Sequence, residues 1–104
     1  MIAADLIDEA ARRIVAAAPG ARVILFGSHA RGEAGPDSDV DLLVVEPRVP
    51  DRFGEIVRLQ RLLAPLRLPA DVIVVSEAHV EEWGDVASTM LHDALREGRV
   101  LAQA

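Results

Sequence analysis

Three observations predict an α/β fold. Helix-like and strand-like runs alternate along the chain, the strand-like runs are short and rich in β-branched residues, and 104 residues suffice for one hydrophobic core but not for two. The whole length, 1–104, is therefore expected to form one small domain. Half of the residues are hydrophobic and few are aromatic, so the core must be built from Val, Leu, Ile and Ala.

The first element is a helix from about Ala3 to Ala18. Leu6, Ile7, Ala10, Ala11, Ile14, Val15 and Ala18 recur at the three-and-four spacing of one helical face, Arg12 and Arg13 fall off it, and Pro19-Gly20 ends it. Arg22 to Phe26 then reads as a buried strand. Gly27-Ser28 follows, with Ser28 placed to cap one short helical turn through about Arg31, and Gly32 and Gly35-Pro36 bring the chain back through a loop. A second strand is predicted from about Ser38 to Glu46. Asp39, Asp41, Leu43 and Val45 would share one face, and Val40, Leu42 and Val44 the other, the pattern of a central strand covered on both sides.

Pro47 and Pro50 lead into a helix from about Asp51 to Ala64 that would bury Phe53, Ile56, Val57, Gln60, Leu63 and Leu59. Ala70 to Val75 is the third strand, with Asp71, Ile73 and Val75 on one face. A last helix is expected over about Asp85 to Glu97, closed by Gly98, with Glu81 to Gly84 as a separate turn before it. Val100-Leu101 is left as an edge strand or a packed tail.

Composition removes several classes of function. No apolar run approaches the roughly 20 residues of a membrane span, and the acidic N-terminal residues do not fit a secretory signal. With no cysteine there are no disulfides and no thiolate metal sites, which accords with a cytoplasmic location. A net charge of −6 opposes direct polynucleotide binding, but not the binding of a nucleotide escorted by a cation. Every basic side chain other than histidine is arginine. Lysine-dependent phosphate loops, lysyl-nucleotide intermediates and Schiff bases are therefore excluded.

The chemistry must then rest on carboxylates, hydroxyls, backbone amides and metal. Asp39 and Asp41, two apart on a strand, would project to the same side, and their mutual repulsion is relieved by a divalent cation. Asp71 opens the third strand; if that strand lies beside the second with matching facing, all three carboxylates converge at one end of the sheet. Hard oxygen donors favour Mg²⁺, with Mn²⁺ as the alternative, and two such ions would suit in-line displacement at phosphorus. The Gly27-Ser28 turn, with free amides behind it, suits a phosphate. Taken singly, each feature has a plainer reading: Asp37, Ser38 and Asp39 as a turn, Ser28 as a helix cap, Arg31 as a solvated or paired side chain, and His29, His79 and His92 as surface groups.

Together, Gly27-Ser28, ten intervening residues and Asp39-Val40-Asp41 resemble the GSx10DxD signature of the polymerase β-like nucleotidyltransferase superfamily, and most closely its minimal nucleotidyltransferases. Asp71 to Val75 resembles that family's third carboxylate strand. The resemblance covers about residues 3 to 101 and implies a mixed β-sheet with helices packed on it. It implies transfer of AMP from ATP to a hydroxyl. Asp39, Asp41 and Asp71 would be the catalytic, metal-binding residues, and Gly27, Ser28 and Arg31 would bind the nucleotide. Asp71 would help to take the acceptor's proton. His29 departs from the family's common pattern, in which an arginine often follows the serine.

The resemblance further implies a partner. Stand-alone members are commonly antitoxins that add AMP to a tyrosine of a HEPN-domain ribonuclease toxin, so a hetero-oligomer with such a toxin is expected. Two rival readings remain: a module that neutralises its partner by covering it, and an enzyme modifying a small molecule such as an antibiotic. The apolar-rich last helix, around Met90, Leu91 and Leu95, is the expected site of part of the partner contact.

Overall fold

The computed structural model describes residues 4–35, 38–86 and 89–103. Ala3, Pro36, Asp37, Ala87 and Ser88, which fall within expected elements or turns, lie outside the described residues.

Helix α1 (Ala4–Ala17) buries Ile7, Ala10, Ala11 and Ile14, while Glu9 on its outer side pairs with Arg12 at 2.8 Å and Arg13 at 3.1 Å. Strand β1 (Arg22–Phe26) runs into a single helical turn, α2 (Ser28–Arg31). Strand β2 (Val40–Glu46) is followed by α3 (Arg52–Leu63), β3 (Ala70–Ser76), α4 (Glu77–Trp83), α5 (Met90–Glu97) and β4 (Arg99–Gln103). The sheet is mixed, in the order β3-β2-β1-β4. β2 and β3 are parallel, and β1 is antiparallel to both β2 and β4.

The period-two pattern of the strands divides the core in two. Val23, Leu25, Val40, Leu42, Val44, Val72 and Val74 face α1 and α3, packing on Ile14, Leu59 and Leu63. Ile24, Phe26, Leu43, Val45 and Val75 face the other way, towards Ala94, Leu91 and Leu95 of α5 and Val80 of α4. Arg22 and Glu77, joined through two bonds of 3.0 and 3.2 Å, tie the start of β1 to the start of α4.

Three expectations need correction. β2 begins at Val40 rather than Ser38, so Asp39 precedes the strand: β1 has ended by Asp41's partner Phe26 and β3 begins opposite Val40. Phe53 is 77% exposed, because α3 closes on the sheet through Leu59 and Leu63, and Gln60 reaches the Ala70 carbonyl at 3.2 Å. The expected helix over 85–97 begins only at Met90, capped by Thr89, and a separate helix precedes it, capped by Ser76 accepting from the His79 amide. Of the two readings open for Val100-Leu101, the edge strand is the one observed, as part of β4.

Candidate active site

Parallel pairing of β2 and β3 sets Asp41 directly beside Asp71 in register. Equal parity along the two strands puts both on the sheet face that carries Leu43, Ile73 and Val75. On the other flank of β2, Asp41 is opposed by Phe26, the last residue of β1, so the Gly27-Ser28 turn starts beside it. Asp39 lies just outside the strand and is exposed.

Gly27 makes this proximity possible. Its φ of 74° lies in the left-handed region, and a Cβ built on it would fall on the Asp41 carboxylate. The Gly27 carbonyl accepts from the amides of Ala30 and Arg31, each at 3.1 Å, which closes α2. The cap position therefore falls on Gly27, and Ser28 is the first helical residue; no side chain caps the turn. His29, whose ring Nε2 lies 3.1 Å from the Ser38 carbonyl, pins α2 against the residues that lead into Asp39.

The electrostatics are lopsided. Burial raises the Asp41 carboxyl above its ordinary value, the charges of Asp71 and then Asp39 raise it further, and His29 and Arg31 pull it partway back. Both neighbouring aspartates therefore act on Asp41, and no cationic side chain makes a salt bridge with any of the three among the described residues. Arg31, the guanidinium whose charge acts on Asp41, is held by Glu33 at 3.0 Å and Glu97 at 3.2 Å. Among the described residues, no three acidic or imidazole groups are drawn tightly enough together to form a ready cage. The donor set, carboxylate oxygens with uncompensated negative charge beside an open turn, nevertheless has the chemistry that a hard divalent cation requires.

Sequence reasoning brought Gly27, Ser28, Asp41 and Asp71 to one end of the sheet, and there they are, with Asp39 at the margin. It missed the bridging role of His29, for which its position directly after Ser28 was the available signal. It also missed Glu97 as the partner of Arg31, a contact across 66 positions with no local signature.

The nucleotidyltransferase domain family matches residues 7–99. Among curated proteins, the chain is 37% identical over 65 residues to nuclear poly(A) polymerase 1 of Arabidopsis thaliana, covering 62% of the chain and 9% of the polymerase. It is 36% identical over 104 aligned residues to the bifunctional uridylyltransferase/uridylyl-removing enzyme of Bordetella avium (strain 197N), covering 93% of the chain and 12% of that enzyme. The chain thus spans only a small part of either relative.

Among solved structures, a protein described as a nucleotidyltransferase from Sulfolobus solfataricus superposes with a TM-score of 0.67 at 22% identity, over 95% of this chain and 78% of the other. A toxin–antitoxin structure with AMP-PNP gives 0.66 at 22% identity, over 93% and 73%. A complex of a tri-AMPylated Shewanella oneidensis HEPN toxin with an MNT antitoxin gives 0.61 at 20% identity, over 95% and 71%. These superpositions share the fold and the family match spans nearly the whole described chain: the protein belongs to the nucleotidyltransferase domain family.

Proposed function

We propose that this chain transfers AMP from ATP to a hydroxyl on a partner protein, a tyrosine of a HEPN-domain toxin, and so acts as an antitoxin. The observation that carries the reading is the register: Asp41 and Asp71 side by side, with the Gly27-Ser28 turn on the opposite flank of Asp41. In-line displacement at phosphorus needs the entering and leaving oxygens on opposite sides, and the strand order β3-β2-β1 supplies two such sides.

Asp39, Asp41 and Asp71 would hold Mg²⁺, which when bound polarises phosphate oxygens and lowers the pKa of a coordinated hydroxyl. Ser28 and the first amides of α2 receive the β- and γ-phosphates. Asp71, on the far flank, orients the acceptor hydroxyl and takes its proton. A bond forms from the acceptor oxygen to the α-phosphorus, the bond to the bridging oxygen breaks, and pyrophosphate leaves on the Ser28 side. Arg31 can assist the phosphates only by exchanging Glu33 or Glu97 for them.

The partner rests on the fold neighbours that are toxin–antitoxin assemblies, one with AMP-PNP and one with an AMPylated HEPN toxin. The test is incubation of the purified chain with ATP, Mg²⁺ and the product of the neighbouring gene, followed by intact-mass spectrometry. Addition of AMP to a tyrosine of the partner is expected, and Asp39→Ala and Asp41→Ala should abolish it. Neutralisation that persists in an Asp39→Ala, Asp41→Ala, Asp71→Ala variant would support the covering module instead.

A further inference from the structure

An open cleft of about 220 Å³ lies on the aspartate face of the sheet, between the strands and the start of α5. Phe26, Leu43, Ile73, Met90 and Leu91 line it, and Arg52 and His79 stand at its far end. Leu43 and Ile73 are each two positions beyond Asp41 and Asp71, so the cleft opens about 7 Å along the strands from the carboxylates. Met90, at its rim, is 58% exposed, so its side chain is accessible to a group entering the cleft. None of the three aspartates lines this cleft or a larger one of about 520 Å³, but the larger one lies on the opposite side of the sheet, against Ile7 of α1 and Leu25.

Transfer at the α-phosphorus dictates what this cleft can receive. The entering and leaving oxygens are collinear with phosphorus, and the ribose oxygen stands roughly at right angles to them. With the pyrophosphate side at β1 and the acceptor side at β3, that line runs across the strands. The ribose must then depart away from the line, and the direction along the strands leads over Leu43 and Ile73. We infer that the cleft beneath the aspartates receives the nucleobase of the triphosphate, held between the sheet and Met90-Leu91 of α5. This rests on the nucleotidyl-transfer reading and adds to it the residues that grip the nucleoside.

Size and chemistry agree. A volume of about 220 Å³ is below that of a drug-sized site and suits one heterocyclic ring system, whose faces are apolar and whose edge carries hydrogen-bonding groups. The walls are apolar and the polar groups, Arg52 and His79, stand at one end, where a base edge would meet them. An acceptor side chain is the weaker candidate, since it must enter along the transfer line rather than beside it.

The test is calorimetry in Mg²⁺ with three probes: inorganic tripolyphosphate, ribose 5-triphosphate and ATP. The expected result is that ATP binds about tenfold or more tighter than both others. Met90→Glu, at an exposed position, and Ile73→Ser should bring ATP down to the affinity of ribose 5-triphosphate and leave the two base-free probes unchanged. Equal affinity for ATP and ribose 5-triphosphate in the unaltered protein would overturn the inference while leaving the triphosphate site standing. Unchanged ATP affinity in both variants would also overturn it. Failure to bind tripolyphosphate as well as ATP would overturn the nucleotidyl reading itself, and this inference with it.

Discussion

Strand β2 carries a cluster of acids at each end, and the two clusters resolve their repulsion differently. At the trailing end Glu46 is 8% exposed and meets Glu55 of α3, which Arg58 holds through two bonds of 2.7 Å. Burial first, and then the hydrogen bond and charge of Glu55, push the Glu46 carboxyl up to about 7, while Arg58 draws Glu55 well below the usual range. Glu46 Oε2 is buried without a donor from the protein, and a shared proton answers that deficit. At the leading end Asp71 and Asp39 also repel Asp41, but among the described residues no arginine makes a salt bridge with them, and the cluster faces solvent. A pair neutralised from within holds the fold together; one left uncompensated and open awaits a cation from outside. Acid clustering alone therefore does not mark a site, and the presence or absence of an internal counter-charge does.

The strongest way to break this contrast is Asp41→Asn. It removes a donor of charge to the reaction, a loss of several kcal/mol in transition-state stabilisation, so transfer should fall by roughly a thousandfold or more. The folded state loses a repelled, half-buried charge, so the thermal midpoint without metal should stay level or rise. Loss of activity together with loss of stability would instead make Asp41 a structural residue like Glu46.

Glu46→Gln is the converse experiment, with a medium effect. Because the folded-state pKa of Glu46 is raised, its contribution is fully present below the unfolded value of about 4.5 and is lost as the pH rises through about 7. Stability should therefore decline between those pH values by on the order of 1–3 kcal/mol. Gln keeps a donor towards Glu55 without a titrating proton, so the variant should lose that slope and be the more stable protein at pH 8. Glu55, lowered by Arg58, acts in the opposite sense and weakens the fold only as the pH falls below about 4.5. Urea titrations across the pH range would read both slopes, with transfer activity unaltered.

The leading cluster was legible because strands encode their faces by parity. Asp41 and Leu43 share a side, as do Asp71 and Ile73, and pairing of β2 with β3 in the Asp41–Asp71 register puts all four on one face; the Gly27-Ser28 turn announces itself by the glycine that Asp41 forbids to be anything larger. What could not be read depended on where neighbours stop. Phe53 is in phase with the buried stripe of α3, yet sits in the first turn, where nothing covers it. Asp39 keeps the parity of a strand that ends one residue short of it. Helix α4 has no buried residue and is anchored through Glu77 to Arg22, a contact across 55 positions that periodicity cannot carry.

The smallest effect separates two roles for Arg31. If the guanidinium only bridges α2 to α5, its ties to Glu33 and Glu97 are exposed pairs, and Arg31→Ala should leave both stability and nucleotide affinity nearly unchanged. If it exchanges those partners for phosphate, the apparent KM for ATP should rise a few-fold while kcat holds, because Arg31 also lowers the Asp41 carboxyl and its removal leaves that cluster still more negative. Glu97→Gln tells the two apart: by freeing one of the two ties it should strengthen ATP binding slightly in the second case and do nothing in the first. The second outcome is expected, since an arginine close enough to act on Asp41 lies within the field of any triphosphate bound there, and a phosphate carries more charge than either glutamate. A steady-state series in ATP, with both variants assayed at the same ionic strength, decides it.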